Sequence, residues 1–172
     1  LLDGFATLHH GSVFERFVNF YLFNQTYPPI FHLLGSPFVL SSVDPVLGGR
    51  VYVQLLVLLI ALVFYAIVRP IGGRLAATAG VLTLVGTPWF VDIGRHYLLE
   101  PLIVLELLVL LYLIFRYFSR PTSRDVVLIS AVTAAGLLTK YNFFLYAAPL
   151  FVVPAVVELM RRAQGKRTGP GL

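Results

Sequence analysis

Thirteen residues, Trp89–Pro101 (WFVDIGRHYLLEP), bring together two carboxylates, Asp92 and Glu100, with Arg95, His96 and Tyr97. They lie between two apolar runs, each long enough to cross a bilayer. Polar groups at the mouth of a membrane span lose hydration and need partners, water or a substrate in its place. A carboxylate there can take the proton of an attacking hydroxyl, and cations can hold a phosphate by charge-assisted bonds. Each residue also has a plainer explanation. Glu100 precedes Pro101, which suits the first turn of a helix, where a carboxylate is favoured by the helix dipole. Arg95 can simply neutralise Asp92.

Three further positions carry the same kind of chemistry. Asp3, near the start, reads as a base held above the membrane or as a helix cap. Lys140 ends an apolar run and can either snorkel to headgroups or meet a phosphate. Glu106 is the deepest carboxylate, expected to be paired or protonated inside a bundle. His9 and His10 are adjacent, so on a helix they point about 100° apart. No HExxH or other ligand spacing occurs, so the sequence marks no metal site and no cofactor is expected, with a divalent metal left open. GxGxxG, Walker and GxSxG motifs are absent as well.

The elements that must position these groups follow from composition. The chain is 58% hydrophobic and 12% charged, about half the charge of a soluble domain, with a mean hydropathy of +0.86. That places it among polytopic membrane proteins. Its net charge of +5 does not point to nucleic acid, because the basic residues flank apolar runs instead of forming a polar face. Cysteine is absent, which excludes disulfides and thiolate metal sites. The chain opens without Met or a signal peptide and closes on a basic tail, so it is expected to be a fragment of a longer protein.

The expected fold class is all-α, a polytopic transmembrane helix bundle with amphipathic interfacial helices in the first extracytoplasmic loop. Residues 1–49 form that loop. Phe14, Phe17, Val18 and Tyr21 recur at helical spacing and predict a surface helix. The segment IFHLLGSPFVL after Pro28-Pro29 is too short and too interrupted to span, and reads as re-entrant or interfacial. Residues 50–160 hold about five transmembrane helices, at 51–69, 74–91, 98–118, 125–139 and 143–160. The second is rich in small residues, which suits the inside of a bundle. Arg69–Arg74 (RPIGGR) reads as a tight basic turn between the first two. Residues 161–172 are a basic cytoplasmic tail or loop.

Charge sets the expected orientation. The loops 69–74, 116–125 and 161–167 hold nine of the thirteen Lys and Arg. Basic loops stay in the cytoplasm. The N-terminal region, the 89–101 loop and Lys140 are therefore expected to share the extracytoplasmic face.

In order and spacing, these pieces resemble the membrane half of the GT-C glycosyltransferases. The resemblance is carried by Asp3 in the first loop and by Tyr27-Pro28-Pro29-Ile30-Phe31-His32. It continues through Arg50 heading a span, the small-rich span ending Thr87-Pro88, the Arg95-to-Glu100 element and the Gly136-to-Lys140 element. The nearest types are protein O-mannosyltransferases and the aminoarabinose transferases acting on lipid A. The resemblance implies an enzyme of the plasma membrane, working at its extracytoplasmic face. It would move a sugar from a polyprenyl-phosphate donor to a hydroxyl of a lipid, glycan or protein acceptor. It implies Asp3 and Glu100 as catalytic carboxylates, and Arg95, His96, Tyr97, Lys140, Arg50 and Tyr27 as substrate-binding residues. Direct displacement at the anomeric carbon would invert its configuration, and the fragment alone is expected to be inactive. Two other classes remain open on the residues: a lipid carrier or solute permease, for which Glu106 is the best feature, and a structural membrane subunit.

Overall fold

The structure, a computed structural model, describes residues 12, 30–93 and 99–163. Those residues form an all-helical bundle. Its elements are α1 (Ile30–Ser41), α2 (Pro45–Gly86), α3 (Pro88–Ile93), α4 (Glu100–Ser119), α5 (Ser123–Thr139) and α6 (Phe143–Ala163). The predicted surface helix around Phe14–Tyr21 lies outside the described residues.

The segment expected to be re-entrant or interfacial is the helix α1, although it contains Pro37. Proline has no N–H for the carbonyl one turn back. Here that carbonyl, on Leu33, accepts the Ser36 hydroxyl at 2.9 Å instead. The chain then turns at Asp44, whose carboxylate accepts the Val46 N–H at 2.9 Å, with Pro45 opening α2. At the first turn of α2 the two backbones nearly touch. A Cβ on Gly48 would overlap the Phe38 carbonyl. Replacing Gly48 with Ala is therefore expected to push α1 off α2. Overpacking of this kind costs about 1–3 kcal/mol, or several degrees of melting temperature for a chain of this size. Thermal unfolding in detergent checks it, and an unchanged Tm would contradict the close approach.

The 42 residues of α2 are two arms joined at Gly73, whose φ of 77° and ψ of 179° belong to a region only glycine occupies at low cost. The arms are antiparallel. Phe64 and Gly80 would stand about 24 Å apart on a straight helix, yet a Cβ on Gly80 would be 3.1 Å from the Phe64 ring. Ile60 likewise packs with Leu84 and Phe90. The turn centres on the RPIGGR run, with Pro70 three residues before Gly73. The second arm ends at Thr87-Pro88, where the residue before proline is held extended (φ −67°, ψ 140°). The short helix α3 continues the climb.

The helices α4, α5 and α6 follow in alternating directions. Tyr52 and Leu56 of α2 share a core with Leu99, Leu102 and Ile103, while Val57 and Ile60 further along α2 cluster with Val104, Leu105 and Leu108 further along α4, so these two helices run parallel. The reversal of α5 is seen in its contacts with α4. Arg116 reaches Asp125 near the start of α5, whereas Glu106 reaches Thr139 at its end. The first arm of α2 and α4 are both long and apolar enough to cross a membrane. The core joins Phe31 of α1, Tyr52 and Leu56 of α2, Leu102, Ile103 and Leu110 of α4, and Phe143 and Ala147 of α6. In lipid such helices are held by close packing and polar contacts more than by the hydrophobic effect.

Two ends result. One carries the Gly73 turn, flanked by Arg69 and Arg74, and the α4–α5 turn with Arg116, Arg120 and Arg124. There Asp125 is buried and accepts from Arg116 Nε at 2.7 Å and from the Thr122 hydroxyl at 2.7 Å. The other end carries α1, Asp44, Arg50, Asp92, Glu100 and Lys140.

Candidate active site at one end of the bundle

Glu100 occupies the first turn of α4, where no side chain caps the helix. A carboxylate there meets the positive end of the helix dipole, worth about 0.3–1 kcal/mol. Lys140 is the residue that ends α5, its N–H bonded to the Gly136 carbonyl at 3.0 Å. A cation at a helix C-terminus is favoured for the converse reason. The antiparallel packing of α4 and α5 brings the two charges together, with Lys140 Nζ 3.8 Å from Glu100 Oε1.

That distance is an ionic contact, too long for a hydrogen bond. Both side chains are partly open, Lys140 at 29% and Glu100 at 42% exposure. A pair of this kind contributes at most about 1 kcal/mol. The ammonium can exchange its partner for a stronger acceptor at little cost. A phosphate is such an acceptor.

The position of Lys140 is set from behind. Its carbonyl accepts the Phe143 N–H at 2.9 Å, and Phe143 is fully buried. The Phe143 ring lies where a Cβ on Gly136 would stand. Glycine at 136 thus lets the start of α6 fold back on the end of α5, closing the turn that presents Lys140.

Beneath the pair lies a polar layer. Glu106 Oε1 is hydrogen-bonded to the Thr139 hydroxyl at 2.7 Å, and both residues are buried. The side chain of Tyr52, also buried, is within electrostatic reach of Glu106. Its ring packs at 5.4 Å against Phe31 and 5.5 Å against Phe38. His32 is buried edge-on to Phe31 at 5.4 Å. Burial pushes its imidazole below the ordinary histidine range, toward the neutral form.

Of the residues singled out in the sequence, the structure brings Glu100 and Lys140 together. Arg50 is exposed in the second turn of α2 at the same end, and Glu100 pairs with Lys140 and not with Arg50. Asp92 is exposed on α3. Asp3, Tyr27, Arg95, His96 and Tyr97 lie outside the described residues. Thr139 and Tyr52 escaped sequence reasoning as members of this end. The adjacency of Thr139 to Lys140 was the available signal for the first, and nothing local marked the second. Among the described residues no group of His, Cys, Asp and Glu could hold a metal ion.

The family model for dolichyl-phosphate-mannose-protein mannosyltransferases matches residues 28–169. No curated protein and no solved structure matches the chain. The matched span covers α1 to α6 and with them the Glu100–Lys140 end. The chain belongs to the dolichyl-phosphate-mannose-protein mannosyltransferase family, integral membrane glycosyltransferases of the GT-C type.

Proposed function

We propose that the protein moves a sugar from a polyprenyl-phosphate donor to an acceptor hydroxyl at the extracytoplasmic face of the membrane. The observation that carries this reading is the loosely held Glu100–Lys140 pair at the end of the bundle opposite the arginine-rich turns. By the rule that basic loops remain in the cytoplasm, that end faces outward.

Lys140 takes the donor phosphate, and Arg50 and Arg95 add positive charge around it. His96, Tyr97 and Tyr27 complete the substrate contacts. As the bond between the anomeric carbon and the phosphate oxygen breaks, negative charge gathers on the leaving polyprenyl phosphate. A cation already in place stabilises that charge without reorganising. Asp3 removes the proton from the acceptor hydroxyl, and Glu100 serves as the second carboxylate of the site. The hydroxyl oxygen attacks from the face opposite the phosphate, so the anomeric configuration inverts.

The test supplies the full-length protein, in lipid nanodiscs, with polyprenyl-phosphate sugars and a hydroxyl acceptor. Transfer releases polyprenyl phosphate and gives a glycosylated acceptor of inverted configuration. Binding of the donor with no release would instead make the protein a carrier.

A further inference from the structure

The carboxyl of Glu106 has no role in the reaction as written above, yet it is 8% exposed in the middle of the bundle. It lies six residues beyond Glu100, about 9 Å further along α4. Its one hydrogen-bonded neighbour among the described residues is Thr139, and its Oε2 has no partner there. Neither the Arg116–Asp125 nor the Lys140–Glu100 ion pair includes it. The titratable groups at this end of the elements packed around it are Arg50 and Tyr52 on α2, His32 on α1, Lys140 on α5 and Glu100 on α4 itself, and Arg50 is exposed. The part of α6 that joins this core brings Phe143 and Ala147, which do not titrate.

The geometry at Thr139 bears on where a proton sits. Its hydroxyl oxygen is 2.7 Å from Glu106 Oε1 and 3.1 Å from the Ala135 carbonyl. A threonine hydroxyl has one proton and can also accept. Both contacts are satisfied together when Glu106 donates to Thr139 and Thr139 donates to Ala135. An ionised Glu106 would leave a carbonyl competing for one proton and a buried charge without a cation, a costly arrangement. A neutral acid leaves only one uncharged oxygen unsatisfied.

We propose that Glu106 is a neutral carboxylic acid donating its O–H to Thr139, a clamp that registers α4 against the end of α5 and so holds Lys140 beside Glu100. Glu106 is then a positioning residue, and its effect on transfer rests on the reading of that pair as the donor site. Thr139 precedes Lys140 directly, so a slip of α5 along α4 moves the ammonium with it.

The experiment uses the full-length protein in nanodiscs, with polyprenyl-phosphate mannose as the probe donor. It compares Glu106→Gln, Glu106→Leu, Thr139→Val and the Leu–Val double variant. Glu106→Gln still offers a donor to Thr139, and is expected to keep wild-type kcat, KM and pH profile. Glu106→Leu is expected to raise the donor KM roughly tenfold or more, as misplacement of a binding group does, with kcat less affected. Because both substitutions remove one bond, the double variant should melt no lower than the worse single variant. Infrared spectroscopy should show the carbonyl band of a protonated carboxylic acid at neutral pH, absent in Glu106→Gln. Inactivity of Glu106→Gln at an unchanged Tm, additive Tm losses, or absence of that band would each overturn the proposal. Should the wild type fail to turn over the donor, the donor reading fails, while the infrared band and the thermal cycle still decide the clamp.

Discussion

Lys140→Met is expected to raise KM for the polyprenyl-phosphate donor by roughly 10–100-fold while leaving the fold in place. Two quantities separate these effects. The contact with Glu100, at 3.8 Å and partly open to solvent, is worth at most about 1 kcal/mol, so its loss barely touches stability. A hydrogen bond from an ammonium to a phosphate oxygen is worth about 1.5–3 kcal/mol, which is the tenfold to hundredfold range. Lys140→Arg should recover part of the loss, because it restores charge but not the reach of an ammonium. Steady-state kinetics against donor concentration, with Tm as the control, checks this. An unaltered KM would remove Lys140 from the donor site.

Asp3→Asn is expected to lower kcat by about 10²–10⁴-fold, the usual contribution of a positioned general base, with donor KM nearly unchanged. The amide keeps the shape of the carboxylate and loses its ability to accept the hydroxyl proton. The two variants therefore act on different kinetic constants, since one removes binding of the leaving group and the other removes activation of the nucleophile. Single-turnover transfer in the full-length protein gives the answer. Turnover within a few-fold of wild type would take Asp3 out of the mechanism.

The bundle was legible because membrane spans announce themselves by length and apolarity, and because RPIGGR contains the proline and glycine that a reversal needs. Asymmetry of charge was legible for the same reason, as Arg69, Arg74, Arg116, Arg120 and Arg124 flank spans in the sequence and mark one end of the fold. The helix at 30–41 was harder. Pro37 and Gly35 argued for an interrupted segment, and the repair by the Ser36 hydroxyl depends on a local bond that no periodicity reveals.

The candidate site was legible in part. Glu100 and Lys140 stood out as charges at span ends, and their meeting follows from antiparallel neighbours joined by a short turn. Glu106 was visible as a carboxylate in an apolar run, but its partner was not, because Thr139 is 33 residues away and a threonine near a helix end is unremarkable. The close approaches at Gly48 and Gly136 were equally hidden. A glycine in an apolar helix does not say which ring or carbonyl will fill the space its missing side chain leaves.

The central claim is that the donor phosphate is held at the Glu100–Lys140 end. A polyprenyl phosphate carrying a photoreactive group next to its phosphate tests that claim directly, by cross-linking to the full-length protein and mapping of the labelled peptides. The label is expected in the segments around 99–103 and 139–143, and should fall sharply in Lys140→Met. Labelling concentrated at 116–125, among Arg116, Arg120 and Arg124, would contradict it.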